Sequence, residues 1–170
     1  MPAQLVTLPR MDPLRTMFRH HAWATRKLID HCANLPPEHL TESAPGTRGP
    51  IMDTLVHLLA ADQRYLVLMD GLSPNPRIHE TEPATLEDLR AGAEAQAARW
   101  NALVDRAPEL DVTIPARGQW PDTPHAEDLL FLQAIHHGND HRAHVCTVLG
   151  AHGLEVPDVD GWAYWPDRGQ

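Results

Sequence analysis

Residues 135–144 read Ile-His-His-Gly-Asn-Asp-His-Arg-Ala-His and hold four of the chain's twelve histidines. Successive residues of an α-helix turn by about 100°, so a helix here places His137, His141 and His144 on one face. His136 falls about 100° away from that face. Three apolar residues share the face with the histidines, which predicts that it points into a helical core: Leu130, Ala134 and Val148.

A buried imidazole is costly unless it has a partner, and a metal ion is one such partner. Histidines four residues apart on a helix, as His137 and His141 are, can offer two nitrogens to one ion. A predicted second helix adds His57, on a face shared with Thr54 and Ala61. For His57 alone, a core histidine bonded to a carbonyl or hydroxyl is the commoner explanation. Three inward histidines on two helices are harder to satisfy in that way, so together they predict a metal site.

Neutral imidazoles suit Zn, Ni, Cu, Fe or Co ions, and three histidines leave at least one coordination position open to water or substrate. His144 is an alternative fourth ligand one turn further along the helix, and His21 is a candidate for the pocket wall. An explanation without metal, in which the histidines bond internally, also stays open. His136 is expected at a boundary between helices or in a subunit contact. The remaining histidines are expected to face solvent or to lie in loops: His20, His31, His39, His79, His125 and His152.

Apolar residues recur at helical spacing in four segments with start and stop signals. The first two cover about residues 12–34 and 50–69. The third begins at a capping box, Thr85-Leu86-Glu87-Asp88, and is closed by Pro108. The fourth covers about residues 123–150, from a Thr-Pro start to a terminal glycine. Four such helices predict an all-α four-helix bundle, a fold that commonly builds metal sites from facing helices.

The segments outside the helices also carry expectations. Residues 111–115 and 117–120 resemble a short extended pair that is too weak to predict a sheet. Residues 73–83 hold three prolines and indicate a surface loop. The C-terminal segment, about residues 153–170, is too aromatic for a solvated tail and is predicted to pack on the bundle, within one domain spanning residues 1–170.

Composition narrows the classes of function. The chain has 170 residues, 14 Lys and Arg and 23 Asp and Glu, and its net charge of −9 argues against a broad nucleic-acid-binding surface. It has no run of 18 apolar residues and no signal-peptide pattern, which predicts a cytoplasmic protein without a membrane partner. Cys32 and Cys146 lie inside predicted helices without a CxxC pair, and we interpret them as buried thiols.

Four stretches of the chain resemble the DinB/YfiT-like family of metalloenzymes and cover most of its length. Residues 20–28, His-His-Ala-Trp-Ala-Thr-Arg-Lys-Leu, resemble the opening helix of the family, and residues 35–40 resemble the break after it. Residues 53–62, Asp-Thr-Leu-Val-His-Leu-Leu-Ala-Ala-Asp, resemble the second helix with its first metal histidine. Residues 137–142, His-Gly-Asn-Asp-His-Arg, resemble the HxxxHR signature of the last helix.

This resemblance implies a four-helix bundle that holds a divalent transition metal, foremost Zn or Ni, on His57, His137 and His141. It also implies a homodimer. Relatives include S-transferases that use low-molecular-weight thiols such as bacillithiol or mycothiol, a thiol-dependent isomerase and hydrolase-like members. The family name refers to induction by DNA damage and does not imply DNA binding. The chain departs from the pattern at His144, where relatives often carry Gln or another polar residue.

The leading hypothesis is a metal-dependent transferase that holds a thiol as thiolate and directs it at a small electrophile such as an epoxide, a halide or an activated alkene. Arg142 or the C-terminal tryptophans would frame the pocket, although Arg142 is expected foremost as a structural salt-bridge residue. One alternative is metal-dependent hydrolysis with Asp53, Asp62 or His144 as general base. Another is a non-catalytic metal-binding stress-response protein. No HExxH motif is present, which argues against a zincin-type peptidase.

Overall fold

The computed structural model describes residues 12–116 and 122–168. In these ranges the chain forms four long α-helices, a short helix near the C-terminus and three 3₁₀ turns. The helices are α1 Pro13–Cys32, α2 Ile51–Asp70, α3 Leu86–Asp105, α4 Glu127–Ala151 and α5 Gly161–Tyr164, and the turns are Pro37–Thr41, Ala107–Glu109 and Trp165–Asp167. The described residues contain a single isolated β-bridge, so the all-α prediction is confirmed for them.

The helix ends mostly follow the signals in the sequence. Asp12 caps α1, because its Oδ1 accepts a hydrogen bond from the N–H of Leu14 at 2.8 Å. The predicted capping box of α3 is present: Oγ1 of Thr85 accepts from the N–H of Asp88 at 3.1 Å, and the Asp88 carboxylate accepts from the N–H of Thr85 at 2.8 Å. Gly71 ends α2 with a φ of 71°, a left-handed conformation that glycine adopts without strain.

The predicted start of the fourth helix, at residues 123–124, is wrong. α4 begins at Glu127, because Thr123 instead pairs with Ile114 through two backbone hydrogen bonds of 2.9 and 3.0 Å. His125 then turns the chain with a φ of 51° before the helix starts. Residues 111–115 therefore find an antiparallel partner at Thr123, whereas the predicted partner, residues 117–120, lies outside the described residues.

The four long helices surround a common interior. α1 packs on α3 and α4, and α2 packs on the same two helices. The interior contains two hydrophobic clusters, one of which is built around Leu28, Leu55 and Leu149. The other contains Phe18 and Trp100, whose ring centroids lie 4.7 Å apart. Burial of these side chains is the main source of the folding free energy.

Each long helix passes from one cluster to the other through a buried polar residue. On α1, for example, His21 lies between Phe18 of one cluster and Leu28 of the other. We call this set the polar layer, and its members are 2–4% exposed: His21, Thr25, Asp62, Gln96 and Arg142. Buried polar groups need hydrogen-bond partners, so the layer ties the helices to one another in a defined register.

The aromatic C-terminal segment contacts α1. Tyr164 is buried, and its ring centroid lies 5.5 Å from that of His20 and 5.4 Å from that of Trp23. The indole N–H of Trp23 donates to the carboxylate of Asp167 at 3.2 Å. Trp162, in contrast, is 87% exposed. Part of the segment therefore packs on the helices while part of it faces outward.

Both cysteines are free thiols, with Cys32 buried and Cys146 half-buried. Burial raises the pKa of Cys32 to about 12, and it also raises the pKa of Cys146. Neither thiol is therefore activated as a nucleophile at neutral pH. None of the helices in the described ranges combines the length and the apolar character that crossing a bilayer requires.

Replacing the cap of α3, Thr85→Ala, should lower the free energy of unfolding by about 1 kcal/mol, because the N–H of Asp88 loses its acceptor. Urea denaturation measures the change. The matched control is Thr147→Ala, an exposed threonine inside α4 whose hydroxyl only returns to the carbonyl of Ala143, and its stability should be unchanged or higher. Equal losses in both variants would contradict the assigned cap.

Candidate metal centre

Three histidines from two helices converge at the contact between α2 and α4. One nitrogen from each of His57, His137 and His141 lies within 4.8 Å of the others. The ring centroids are 4.3 Å apart for His137 and His141, 4.8 Å for His57 and His141, and 5.1 Å for His57 and His137. The structure therefore brings together the three residues that the sequence singled out as metal ligands.

The spacing of these nitrogens fits a bound ion. Nε2 of His57 and Nε2 of His137 lie 3.2 Å apart. Two imidazole nitrogens on a tetrahedral ion, each about 2.05 Å from it, are separated by about 3.3 Å. Nδ1 of His137 is buried without a hydrogen-bond partner among the described residues, so the group contains an unsatisfied polar atom. The donor set is three imidazoles, which divalent transition metals accept readily.

The outer nitrogens of two of these rings have neighbours that orient them. Nδ1 of His57 lies 2.9 Å from a carboxylate oxygen of Glu80, so the ring donates there and turns Nε2 toward the other histidines. Nδ1 of His141 lies 3.3 Å from Nδ1 of His144. His144 is outside the three-histidine group and contacts His141 at this nitrogen.

Burial keeps the rings of His137 and His141 neutral. It lowers the pKa of His141 to about 4, with a further contribution from the neighbouring His137 and His57. The pKa of His137 is also lowered, mainly by burial. A neutral imidazole exposes a lone pair, whereas an imidazolium does not, so the fold holds these two side chains in the form that can bind a metal at neutral pH.

The polar layer lies directly behind this group. Nε2 of His21 lies 2.7 Å from a carboxylate oxygen of Asp62, and a guanidinium nitrogen of Arg142 lies 3.2 Å from Nδ1 of His21. A guanidinium only donates, so Nδ1 of His21 accepts and its Nε2–H donates to Asp62. Arg142 also donates to Thr25 at 2.9 Å and to Asn139 at 2.6 Å.

Three expectations change at this point. Arg142 is structural as expected, but its hydrogen bonds go to neutral groups and not to the carboxylate of the predicted salt bridge. His21 belongs to the polar layer and makes no bond to the three histidines. Asp62, a candidate general base, is 2% exposed and bonded to His21 and Trp100, so it is not available to a substrate at the metal centre.

Gly138 allows the polar layer to reach α4 between the two histidines of that helix. A Cβ at this position would lie 2.4 Å from Cε1 and 2.6 Å from Nδ1 of His21. No side chain other than that of glycine fits there unless the His21 ring moves. The glycine of the sequence His-Gly-Asn-Asp-His-Arg is therefore required by packing.

Glu80 joins the centre from the loop between α2 and α3, and no sequence pattern predicts it. Its carboxylate accepts from Arg48 at 3.3 Å and from Arg64 at 2.8 Å in addition to His57. The hydrogen bond from His57 is the main reason why the pKa of Glu80 is lowered to about 2. Two surface grooves meet at this residue, one of about 310 Å³ that also contacts Arg48 and Asp53, and one of about 720 Å³ between α2 and the loop.

The other histidines lie away from the centre. His136 is exposed on α4 and not at a boundary between helices, and the subunit contact stays a prediction. His20, His31 and His152 each bond to a backbone carbonyl of a distant segment, at 2.9–3.0 Å, and so help to fasten loops and the C-terminal segment to the helices.

The profile described as the DinB family matches residues 7–168. The match includes α1 to α4 and all three converging histidines. None of the curated proteins matches the chain.

The variant Gly138→Ala should lose about 1–3 kcal/mol of unfolding free energy, since the added methyl displaces the His21 ring from its hydrogen bonds. Gly150→Ala is the matched control on the same helix, because its Cβ would meet only Val156 at an ordinary 3.6 Å. The control should be neutral or stabilised by up to about 1 kcal/mol through helix propensity. The two variants are compared by urea denaturation, and similar stabilities would contradict the packing argument.

The metal-free protein should become less stable as the pH falls from about 6.5 to about 4. In this window the unfolded chain binds a proton at His141, whereas the folded chain does not, because the pKa of His141 in the fold is about 4. Urea denaturation at about pH 7 and pH 5 should therefore reveal a smaller loss for His141→Gln than for the original protein. His136→Gln, which alters an exposed neighbour, should keep the full pH dependence; an unchanged dependence in His141→Gln would refute the assignment.

Proposed function

Because the chain belongs to the DinB family, we propose that it is a divalent-metal-dependent enzyme whose ion is held by His57, His137 and His141. Zn and Ni are the preferred ions, since both accept neutral imidazoles. The four long helices would constitute the four-helix bundle of the family, within one domain spanning residues 1–170. The observation that carries the proposal is the convergence of one nitrogen from each of the three histidines within 4.8 Å.

The reaction we propose is S-transfer from a low-molecular-weight thiol, such as bacillithiol or mycothiol, to a small electrophile. When bound, the ion supplies Lewis-acid chemistry that lowers the pKa of a thiol or a water molecule. Three protein ligands leave room for such a group. The protein's own thiols do not compete for this role, because burial raises the pKa of Cys32 and of Cys146. We therefore propose that the sulfur comes from an external thiol.

The groove of about 310 Å³ is the proposed entrance for substrate. It contacts Glu80, which bonds to His57, and Arg48, which lies close enough to His141 to contribute to lowering its pKa. Arg48 gives the groove a cation that would attract a carboxylate or another anionic group of the thiol or electrophile. We also propose small molecules, and not nucleic acid, as the partners, in keeping with the net charge of −9.

Hydrolysis is the second candidate, and one observation favours it. Asp53 is exposed and lines the same groove as Glu80, one helical turn before His57. Asp53 is therefore our candidate general base toward a water molecule in the groove. Asp62 does not fit this role because of its bond to His21.

A homodimer in the cytoplasm completes the proposal. Several large apolar side chains of α1, α4 and the C-terminal segment are exposed, and a second copy would cover them. They are Met17, Leu129, Leu132, Trp162 and Trp165.

The ligand assignment is tested with His137→Ala, which should abolish stable retention of the ion and reduce turnover to background, because two imidazoles bind a divalent ion far less tightly. Elemental analysis of protein purified without a histidine tag gives the metal content. His136→Ala is the matched control, an adjacent histidine on α4 that faces solvent, and it should keep both properties. Full metal retention in His137→Ala would contradict the assignment of His137 as a ligand.

The reaction class is tested by offering several thiols and a panel of epoxides, halides and activated alkenes to the metal-loaded protein. Thiol consumption that depends on the metal supports S-transfer. Turnover in water alone supports hydrolysis, and it should then fall in Asp53→Asn. If the fully metal-loaded protein turns over none of these compounds, the result supports a non-catalytic metal-binding protein.

A further inference from the structure

Glu80 is the carboxylate that contacts the three-histidine group, although it comes from the loop between α2 and α3 and not from a helix. Its Oε2 lies 2.9 Å from Nδ1 of His57. Nε2 of the same ring lies 3.2 Å from Nε2 of His137. The ring of His57 therefore stands between the carboxylate on one side and the other histidines on the opposite side.

We propose that Glu80 is a positioning residue of the metal centre, which fixes the tautomer and the ring orientation of His57 so that Nε2 presents its lone pair to the ion. This inference rests on the proposed metal site. A carboxylate bonded to the outer nitrogen of a metal-binding histidine makes the ligand more basic and holds its ring in place. Loss of such a partner typically weakens metal binding by about 10–100-fold.

Two arginines hold the carboxylate in place. Arg64 donates to Oε1 of Glu80 at 2.8 Å, and Arg48 donates to Oε2 at 3.3 Å. Both arginines are substantially exposed, so each ion pair by itself contributes little to stability. Their effect here is geometric, because contacts to both carboxylate oxygens restrict the rotation of the Glu80 side chain.

The loop itself is anchored just before Glu80. The side chain of Gln63, which is 5% exposed on α2, donates to the carbonyl of Pro76 at 2.8 Å and accepts from the N–H of Ile78 at 3.0 Å. Ile78 is buried against α3, where a Cβ on Gly92 would lie 3.2 Å from it. The backbone two residues before Glu80 is thus fixed to the core. Glu80 therefore has a defined position next to His57 although it lies in a loop.

Metal affinity provides the first test. Zn²⁺ and Ni²⁺ are titrated against a competing chelator into the full-length protein and its variants. Glu80→Ala should bind each ion about 10–100-fold more weakly, and Glu80→Gln, which keeps an acceptor oxygen but loses the charge, should fall between Glu80→Ala and the original protein. The matched control is Glu82→Ala, a glutamate of the same loop whose nearest cations are 3.9 Å away, and its affinity should change less than about twofold.

The tautomer of His57 provides the second test, in the absence of metal. Long-range ¹H–¹⁵N correlation spectra of ¹⁵N-labelled protein distinguish a proton on Nδ1 from one on Nε2, and the spectrum of His57→Gln assigns the resonance. The original protein and Glu82→Ala should carry the proton on Nδ1, and Glu80→Ala should lose that preference. A loop that collapses in Glu80→Ala would also perturb the signals of Ile78, whereas a positioning role leaves them in place.

The outcomes separate this inference from the proposed function. If the original protein binds no divalent ion, the proposed function fails, and the tautomer measurement alone decides the role of Glu80. If the protein binds metal but Glu80→Ala matches it within about twofold and keeps the Nδ1 proton, the positioning role is overturned while the metal site stands. Weaker binding together with the altered tautomer supports both.

Discussion

The hydrogen bond between Asp62 and His21 is the contact on which the arrangement of the helices depends. Asp62 is 2% exposed, and a buried polar group that loses its hydrogen-bond partner costs about 1–3 kcal/mol, and more when the group is charged. The bond at 2.7 Å joins α2 to α1, and the donation from Arg142 to the other nitrogen of His21 adds α4. Trp100 extends the connection to α3, at 3.4 Å from the same carboxylate. One carboxylate and one imidazole therefore fix the relative positions of four helices.

The polar layer and the histidine group contact the same turns of α4 on two different faces. Gly138 follows His137 and lies against the His21 ring, while Arg142 follows His141 and bonds to His21. The residues that turn inward to the polar layer thus alternate with those that turn to the metal centre. The spacing of the two histidines by four residues places them on one face, and the glycine and arginine beside them hold that face toward His57 on α2.

Patterns within a helix were predicted well, and contacts between segments distant in the sequence were not. The capping box at Thr85 is predictable because its partner groups lie three residues apart. The predicted start of α4 is wrong because the partner of Thr123 is Ile114, in a segment with no regular pattern. Arg142 was expected to pair with a carboxylate, yet its acceptors are a threonine, an amide and an imidazole that only the packing brings near.

The sequence by itself determined the helices, the inward direction of His137 and His141, and the membership of His57 in the same group. Local periodicity and a family resemblance suffice for these, since each depends on spacing along one helix or on a shared motif. Only the tertiary structure decided that Glu80 bonds to His57, that His144 contacts His141 outside the three-histidine group, and that His21 and Asp62 belong to the polar layer. The physical reason is that hydrogen bonds between remote segments depend on how the helices pack, and no period in the sequence records that packing.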